Sequence, residues 1–182
     1  MQLHRTRLAD VIEVVPSRIG DERGYFSETF RDDWFRANVA DTGFVQENQS
    51  LSRAKGVLRG LHYQKPPFAQ GKLVRCIAGA IFDVAVDIRP GSPTFAQWVG
   101  VTLSAEQGNQ LWIPEGFLHG FMTLEPDVLV GYKVTNYYDR ASDAGIAWDD
   151  ADIGVDWPLD VDLSLLSAKD RQLPRLADIE VS

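Results

Sequence analysis

The sequence predicts an all-β protein, a sandwich or barrel, and three observations predict it. Ile81 to Arg89 alternates, with Phe82, Val84, Val86 and Ile88 on one parity and Asp83, Ala85, Asp87 and Arg89 on the other, the pattern of a half-buried strand with one apolar and one polar face. Short runs rich in Val, Ile and aromatic residues recur along the chain, separated by Pro, Gly, Asp or Asn. In the first half the best helical candidate is Arg31 to Val39, with Trp34, Phe35 and Val39 on one face and Gly43 closing the segment.

Taken in order, Leu8 to Val15 reads as a strand stopped by Pro16, and the turn Gly20-Asp-Glu-Arg-Gly24 leads into a second run, Tyr25 to Phe30. After the helix, Phe44 to Ser50 places Gln46 and Asn48 on one strand face, which suits a polar pocket wall or an exposed edge equally well. Val57 to Gln64 and Lys72 to Ile77 are strands joined by a Pro- and Gly-containing loop. Alternation in the first of them sets Val57, Arg59, Leu61 and Tyr63 against Leu58, Gly60, His62 and Gln64. Phe95 to Leu103, Gln110 to Ile113, Gly120 to Leu124 and Val128 to Tyr137 continue the series. Beyond Tyr138 the chain is rich in Asp and loses its alternation, so Leu163 to Asp170 is expected to be a helical or turn-rich packing segment. No repeat or linker breaks the chain, which predicts one domain over residues 1–182.

Composition narrows the function. Of 182 residues, 26 are acidic and 18 are Lys or Arg, for a net charge of −8, and the basic residues form no run; that argues against nucleic-acid binding and places the useful cations inside a pocket. No apolar stretch approaches a membrane span and the first ten residues lack a leader's apolar core, which predicts a cytoplasmic protein. Cys76 is the one cysteine, so no intrachain disulfide forms, and its apolar strand predicts a buried inert thiol. Between Gly56 and Gly79 lie Arg59, His62 and Lys72, which would serve as an anion clamp, a proton acceptor and an oxyanion partner; a surface hairpin with two solvated cations and a packed histidine is the competing reading.

The three histidines are His4, at a terminus expected to be exposed, His62 and His119. Pro114-x-Gly-x-x-His119 resembles the second motif of the cupin superfamily, which implies a cupin-type double-stranded β-helix, or jelly roll, with short flanking helices. The metal-binding form of the first cupin motif carries His-x-His, whereas here His62 is followed by Tyr63 and Gln64; no metal is therefore expected, since such sites need three or more ligands. Proton transfer by His, Tyr, Lys and carboxylates is the remaining chemistry.

Nine motifs in order, Gly20-Asp-Glu-Arg-Gly24, Phe44-Val-Gln-Glu-Asn48, Val57-Leu-Arg-Gly-Leu-His62, Ala69-Gln-Gly-Lys-Leu-Val-Arg75, Phe82-Asp-Val-Ala-Val-Asp-Ile-Arg89, Ser92-Pro-Thr-Phe95, Leu111-Trp-Ile-Pro-Glu-Gly-Phe117, Tyr132-Lys-Val-Thr-Asn-Tyr-Tyr138 and Leu166-Ser-Ala-Lys-Asp170, together resemble the dTDP-4-dehydrorhamnose 3,5-epimerase family. The resemblance implies inversion at C3 and C5 of dTDP-4-dehydro-6-deoxy-D-glucose without a cofactor. By similarity His62 is the base, Asp170 its partner, Lys72 the group at the enolate oxygen and Tyr132 the acid. Asp83 is either a support for Lys72 or an ordinary interior hydrogen-bonding group. Arg59 and His119 are assigned to the sugar and phosphate end, and Gln46, Glu47, Asn48, Tyr138, Asp143 and Lys169 to further substrate contacts; position 143 is usually the longer Glu in this family. Arg23, Phe26 and Glu28 resemble residues contributed across a homodimer to the nucleotide, with Phe26 stacking on the base. A relative inverting only C3 or only C5, and a noncatalytic nucleotide-sugar-binding cupin, are the alternatives.

Overall fold

The computed structural model describes residues 1–179 and contains two antiparallel sheets packed face to face. In chain order the strands are β1 (Gln2–Arg5), β2 (Ile12–Val15), β3 (Ile19–Asp21), β4 (Gly24–Phe26), β5 (Gln46–Ser52), β6 (Leu58–Gln64), β7 (Lys72–Ala78), β8 (Ala80–Asp87), β9 (Trp98–Ser104), β10 (Gln110–Ile113), β11 (Phe117–Thr123), β12 (Val128–Val134) and β13 (Asp143–Gly145). The helix α1 spans Asp32–Asn38. One sheet runs β1-β2-β10-β7-β12-β5, the other β13-β6-β11-β8-β9, and β3-β4 is a separate hairpin. This is the all-β sandwich the alternation predicts.

Between the sheets, Val74, Ile81, Ala85, Leu111, Phe117, Phe121, Val128 and Val130 form a core closed at one side by Leu8 and Val11. Each fully buried aliphatic side chain there contributes about 1.5–3 kcal/mol relative to an exposed one. Helix α1 packs Phe35 onto Ile12, Val14, Leu73 and Trp112 on the outer face of the first sheet. Residues 144–179 run mostly without regular structure, and with Ile146, Ile153, Trp157 and Leu176 they cover the outer face of the second sheet.

Three local expectations are corrected. The strand expected over Leu8 to Val15 is only Ile12–Val15, because residues 8–10 form the turn that lets β1 pair with β2. The polar face of β8 is not exposed: Asp83 and Asp87 are both 0% exposed, pointing between the sheets, while Val84, Val86 and Ile88 lie under the C-terminal segment. Alternation reported the polarity of that strand and not its solvent contact. In β6, strict alternation also fails. His62 pairs with His119 and Arg59 with Phe121, so the register slips by one residue between them. This β-bulge turns Arg59 and His62 toward the same interior, whereas unbroken alternation set them on opposite faces.

The bulge requires its glycine. Gly60 has φ +131, and a Cβ there would sit 2.6 Å from Gly120 Cα and 3.0 Å from the His119 carbonyl oxygen. Gly60→Ala is therefore expected to destabilise the fold by about 2–4 kcal/mol, read as a lower urea midpoint. An unchanged midpoint would mean that the two backbones can separate freely.

Candidate active site

Where the interior stops being apolar, the same inward positions carry polar side chains. Along β12 the series Val128, Val130, Tyr132 runs from the core into a cleft, and along β7 Val74 gives way to Lys72. The cleft has two adjoining chambers of about 400 and 390 Å³, which share His62, Lys72, Tyr132 and Lys169. The first also holds Arg59, His119 and Asp170; the second holds Gln46, Asn48, Tyr138 and Asp143.

Each cleft histidine is held by an aspartate. His62 Nε2 lies 2.6 Å from Asp170 Oδ1, a pair separated by 108 positions in sequence. Burial alone would raise the Asp170 carboxyl, but the hydrogen bond and charge of His62 and the Ser167 hydroxyl outweigh it and hold the group below the usual carboxylate range. Because that pKa is depressed, the pair contributes stability that is full above the unfolded carboxylate's pKa and lost as pH falls through the lower folded value. His119 Nε2 lies 2.7 Å from Asp83 Oδ1, and burial pushes this imidazole below its ordinary pKa despite the neighbouring carboxylate. Asp83 thus partners His119, and its other oxygen is buried without a hydrogen bond among the described residues.

Lys72 enters the cleft from the start of β7 and its Nζ donates to the His62 carbonyl at 3.4 Å. Burial lowers its pKa from 10.5 to about 8, against the opposing charges of Asp83 and Asp143. Tyr132 shifts the other way: burial raises the phenol, although the Arg59 charge and the Asn48 hydrogen bond act to lower it. Gln46 Nε2 donates to Asn48 Oδ1 at 2.8 Å, so the two amides do share a pocket wall. At the mouth Lys169 Nζ meets Asp143 Oδ2 at 2.6 Å, and the Tyr138 hydroxyl donates to the same oxygen at 3.1 Å.

Four of the substrate contacts named from the sequence lie elsewhere. Glu47 faces outward from β5 and pairs with Lys133 at 2.8 Å and Arg75 at 3.7 Å. Arg23, Phe26 and Glu28 belong to the exposed β3-β4 hairpin and the residues after it, and none lines this chain's own cleft. His4 is exposed and contacts Glu13 at 3.1 Å. Cys76 is buried, with its thiol pushed up to about 11 by burial. Sequence reasoning passed over Ser50, Phe121 and Ser167, which also line the first chamber. Ser50 and Phe121 were within reach, since each stands two residues beyond a named inward residue on its strand.

A two-sheet barrel whose inward strand positions turn from apolar to titratable at one mouth is a cupin-type enzyme scaffold. The sequence profile described as dTDP-4-dehydrorhamnose 3,5-epimerase matches residues 5–178. The dTDP-4-dehydrorhamnose 3,5-epimerase of Sinorhizobium fredii is 54% identical over 182 residues, 100% of this chain and 93% of the relative. That of Shigella flexneri is 50% identical over 181 residues, 99% and 98% of the two chains. Among solved structures, dTDP-6-deoxy-D-glucose-3,5-epimerase from Legionella pneumophila in complex with dTDP-4-keto-L-rhamnose has a TM-score of 0.93 at 46% identity, covering 98% of this chain and 94% of that one. A 3'-monoepimerase from Streptomyces bikiniensis in complex with dTDP-quinovose has a TM-score of 0.86 at 34% identity, covering 96% and 87%. The chain therefore belongs to the dTDP-4-dehydrorhamnose 3,5-epimerase family, and it is an isomerase of the epimerase kind.

The buried ammonium has a measurable signature. A lysine whose folded pKa of about 8 lies below its unfolded 10.5 destabilises the fold fully below pH 8, and the penalty fades as pH rises from 8 to 10.5. Lys72→Met is thus expected to stabilise the protein at pH 7 by on the order of 1–3 kcal/mol, with the gain shrinking over that interval in urea titrations. A gain independent of pH would place its cause in packing.

Proposed function

We propose that the chain inverts both C3 and C5 of dTDP-4-dehydro-6-deoxy-D-glucose to give dTDP-4-dehydro-L-rhamnose, through enolate intermediates. The observation that carries this reading is the His62–Asp170 pair at 2.6 Å in one cleft with Lys72 and Tyr132. Both carbons flank the C4 ketone, so removing either proton places negative charge on the ketone oxygen. Asp170 occupies Nε2 of His62, which leaves Nδ1 to take the proton; the imidazolium that results is stabilised by the carboxylate. Lys72 supplies the cation for the enolate oxygen, and one preorganised partner of this kind is typically worth a factor of about 10² to 10³ in rate.

Inversion requires the new proton to arrive on the opposite face. Tyr132 has that role: burial keeps its phenol protonated, and an enolate carbon is basic enough to take the proton. Each inversion leaves His62 with one proton more and Tyr132 with one fewer, and exchange with solvent restores both. Arg59 and His119 meet the diphosphate end, and Gln46, Asn48, Tyr138, Asp143 and Lys169 line the path of the sugar. Arg23, Phe26 and Glu28, exposed on this chain, are assigned to the nucleotide in the neighbouring subunit of a homodimer. The likeness to a 3'-monoepimerase favours a second reading, in which one carbon only is inverted on the same scaffold. Proton NMR in deuterated water separates the two: exchange at both C3 and C5 is expected, and exchange at one alone would replace the first reading with the second.

His62→Ala is expected to abolish deuterium uptake at both carbons, and Asp170→Asn to leave a folded enzyme slowed by about 10²- to 10⁴-fold. Uptake at the wild-type rate in His62→Ala would remove that histidine from the chemistry.

Tyr132→Phe separates acid from base. Its enolate still forms and is reprotonated from the same face by a His62 that has exchanged with solvent. Deuterium incorporation with little inverted product is the expected result. If exchange and inversion fall by one common factor, Tyr132 acts at or before deprotonation and is not the opposite-face acid.

A further inference from the structure

Gln64 ends the strand that carries His62, on the same interior face, and is 5% exposed. Its side-chain hydrogen bonds all go to backbone atoms of two loops at the cleft mouth. Nε2 donates to the Phe68 carbonyl at 2.6 Å and to the Tyr137 carbonyl at 3.1 Å, while Oε1 accepts from the Asp139 N–H at 2.8 Å. The last two groups bracket Tyr138, one peptide before it and one after. The side-chain amide thereby does for Tyr138 what a neighbouring strand's backbone does for a residue in a sheet. Only an amide offers donor and acceptor at this spacing: a carboxylate lacks the donor, and an aliphatic chain lacks both.

Tyr138 needs such a clamp because it is 57% exposed and stands beyond the end of β12. Its own contacts all lead to cleft groups. The N–H donates to Gln46 Oε1 at 3.2 Å and the hydroxyl to Asp143 Oδ2 at 3.1 Å, where Lys169 also binds. We infer that Gln64 is a positioning residue which fixes Tyr138, and through it the Gln46 and Asp143 side chains, at the mouth through which the substrate enters. The inference rests on the substrate reading proposed above. His62 and this mouth are then set by one strand, two residues apart, so the base and the substrate's entrance share a single frame.

The test is a double-mutant cycle on the full-length enzyme with dTDP-4-dehydro-6-deoxy-D-glucose, joined to amide hydrogen exchange over residues 137–139. Gln64→Leu is expected to raise KM about tenfold, the factor of one well-formed hydrogen bond, with kcat within about threefold of wild type. In a Tyr138→Ala background the same substitution is expected to change KM by no more than about twofold, because the residue it positions is gone. It is also expected to speed exchange at the Asp139 amide by at least about tenfold. A tenfold KM effect in both backgrounds, or unchanged exchange at Asp139, would overturn the inference. If Gln64→Leu does not fold, Gln64→Met keeps the length of the side chain, lacks the amide's donor and acceptor, and is read by the same measures. If the wild type leaves this sugar unchanged, the substrate reading fails, and exchange at Asp139 decides the positioning role by itself.

Discussion

Two backbones approach closely at Gly60 and Gly120, and the cleft depends on that contact. The one-residue slip between β6 and β11 occurs where neither strand carries a Cβ, and it brings Arg59 into the interior that already holds His62. Without the slip, the guanidinium and the imidazole would lie on opposite faces of the sheet. The same region receives Lys72 from the facing sheet, so groups from β6, β7, β11 and β12 converge on one volume. A rigid two-sheet frame holds them there, with the apolar half of the interior packed against the polar half.

A polar interior of this kind works against stability, and the arrangement of charges shows how the cost is contained. Both cleft histidines have an aspartate within 2.7 Å, so each imidazole is oriented by a hydrogen bond. Lys72 has no such close carboxylate and is held by a carbonyl at 3.4 Å, which is why burial prevails over the charges of Asp83 and Asp143. A buried ammonium interacts strongly with negative charge that develops beside it, because little water must be displaced when that charge forms.

Much of this was legible in the residues. The alternation of β8, the amide pair Gln46 and Asn48, the helix near residue 35 and the gathering of His62, Lys72, Tyr132 and Asp170 all followed from pattern or resemblance. What escaped was of two kinds. Period-two reasoning assumes an unbroken ladder, so the bulge that redirects Arg59 could not be seen, and alternation alone does not tell a solvated polar face from the buried one that carries Asp83 and Asp87. The three-residue strand β13 and the irregular segment after it have no periodicity of their own, since they are shaped by the surface they cover. Gln64 stood out only as the residue that breaks a His-x-His pattern; its bonds to two distant loops are a tertiary fact.

Chain order gives the His62–Asp170 pair another meaning. The partner of the histidine is made 108 residues later, on the same irregular arm that lays Ile146, Trp157 and Leu176 over the second sheet. During synthesis the sheets can assemble from the earlier strands, as segments nearer the N-terminus generally fold first. An emerging chain that has not reached residue 170 holds an imidazole without its carboxylate, under a sheet face whose cover still lacks Leu176. Completion of the dyad therefore comes just before the last of that cover, Leu176, and a chain cut short of residue 170 lacks both.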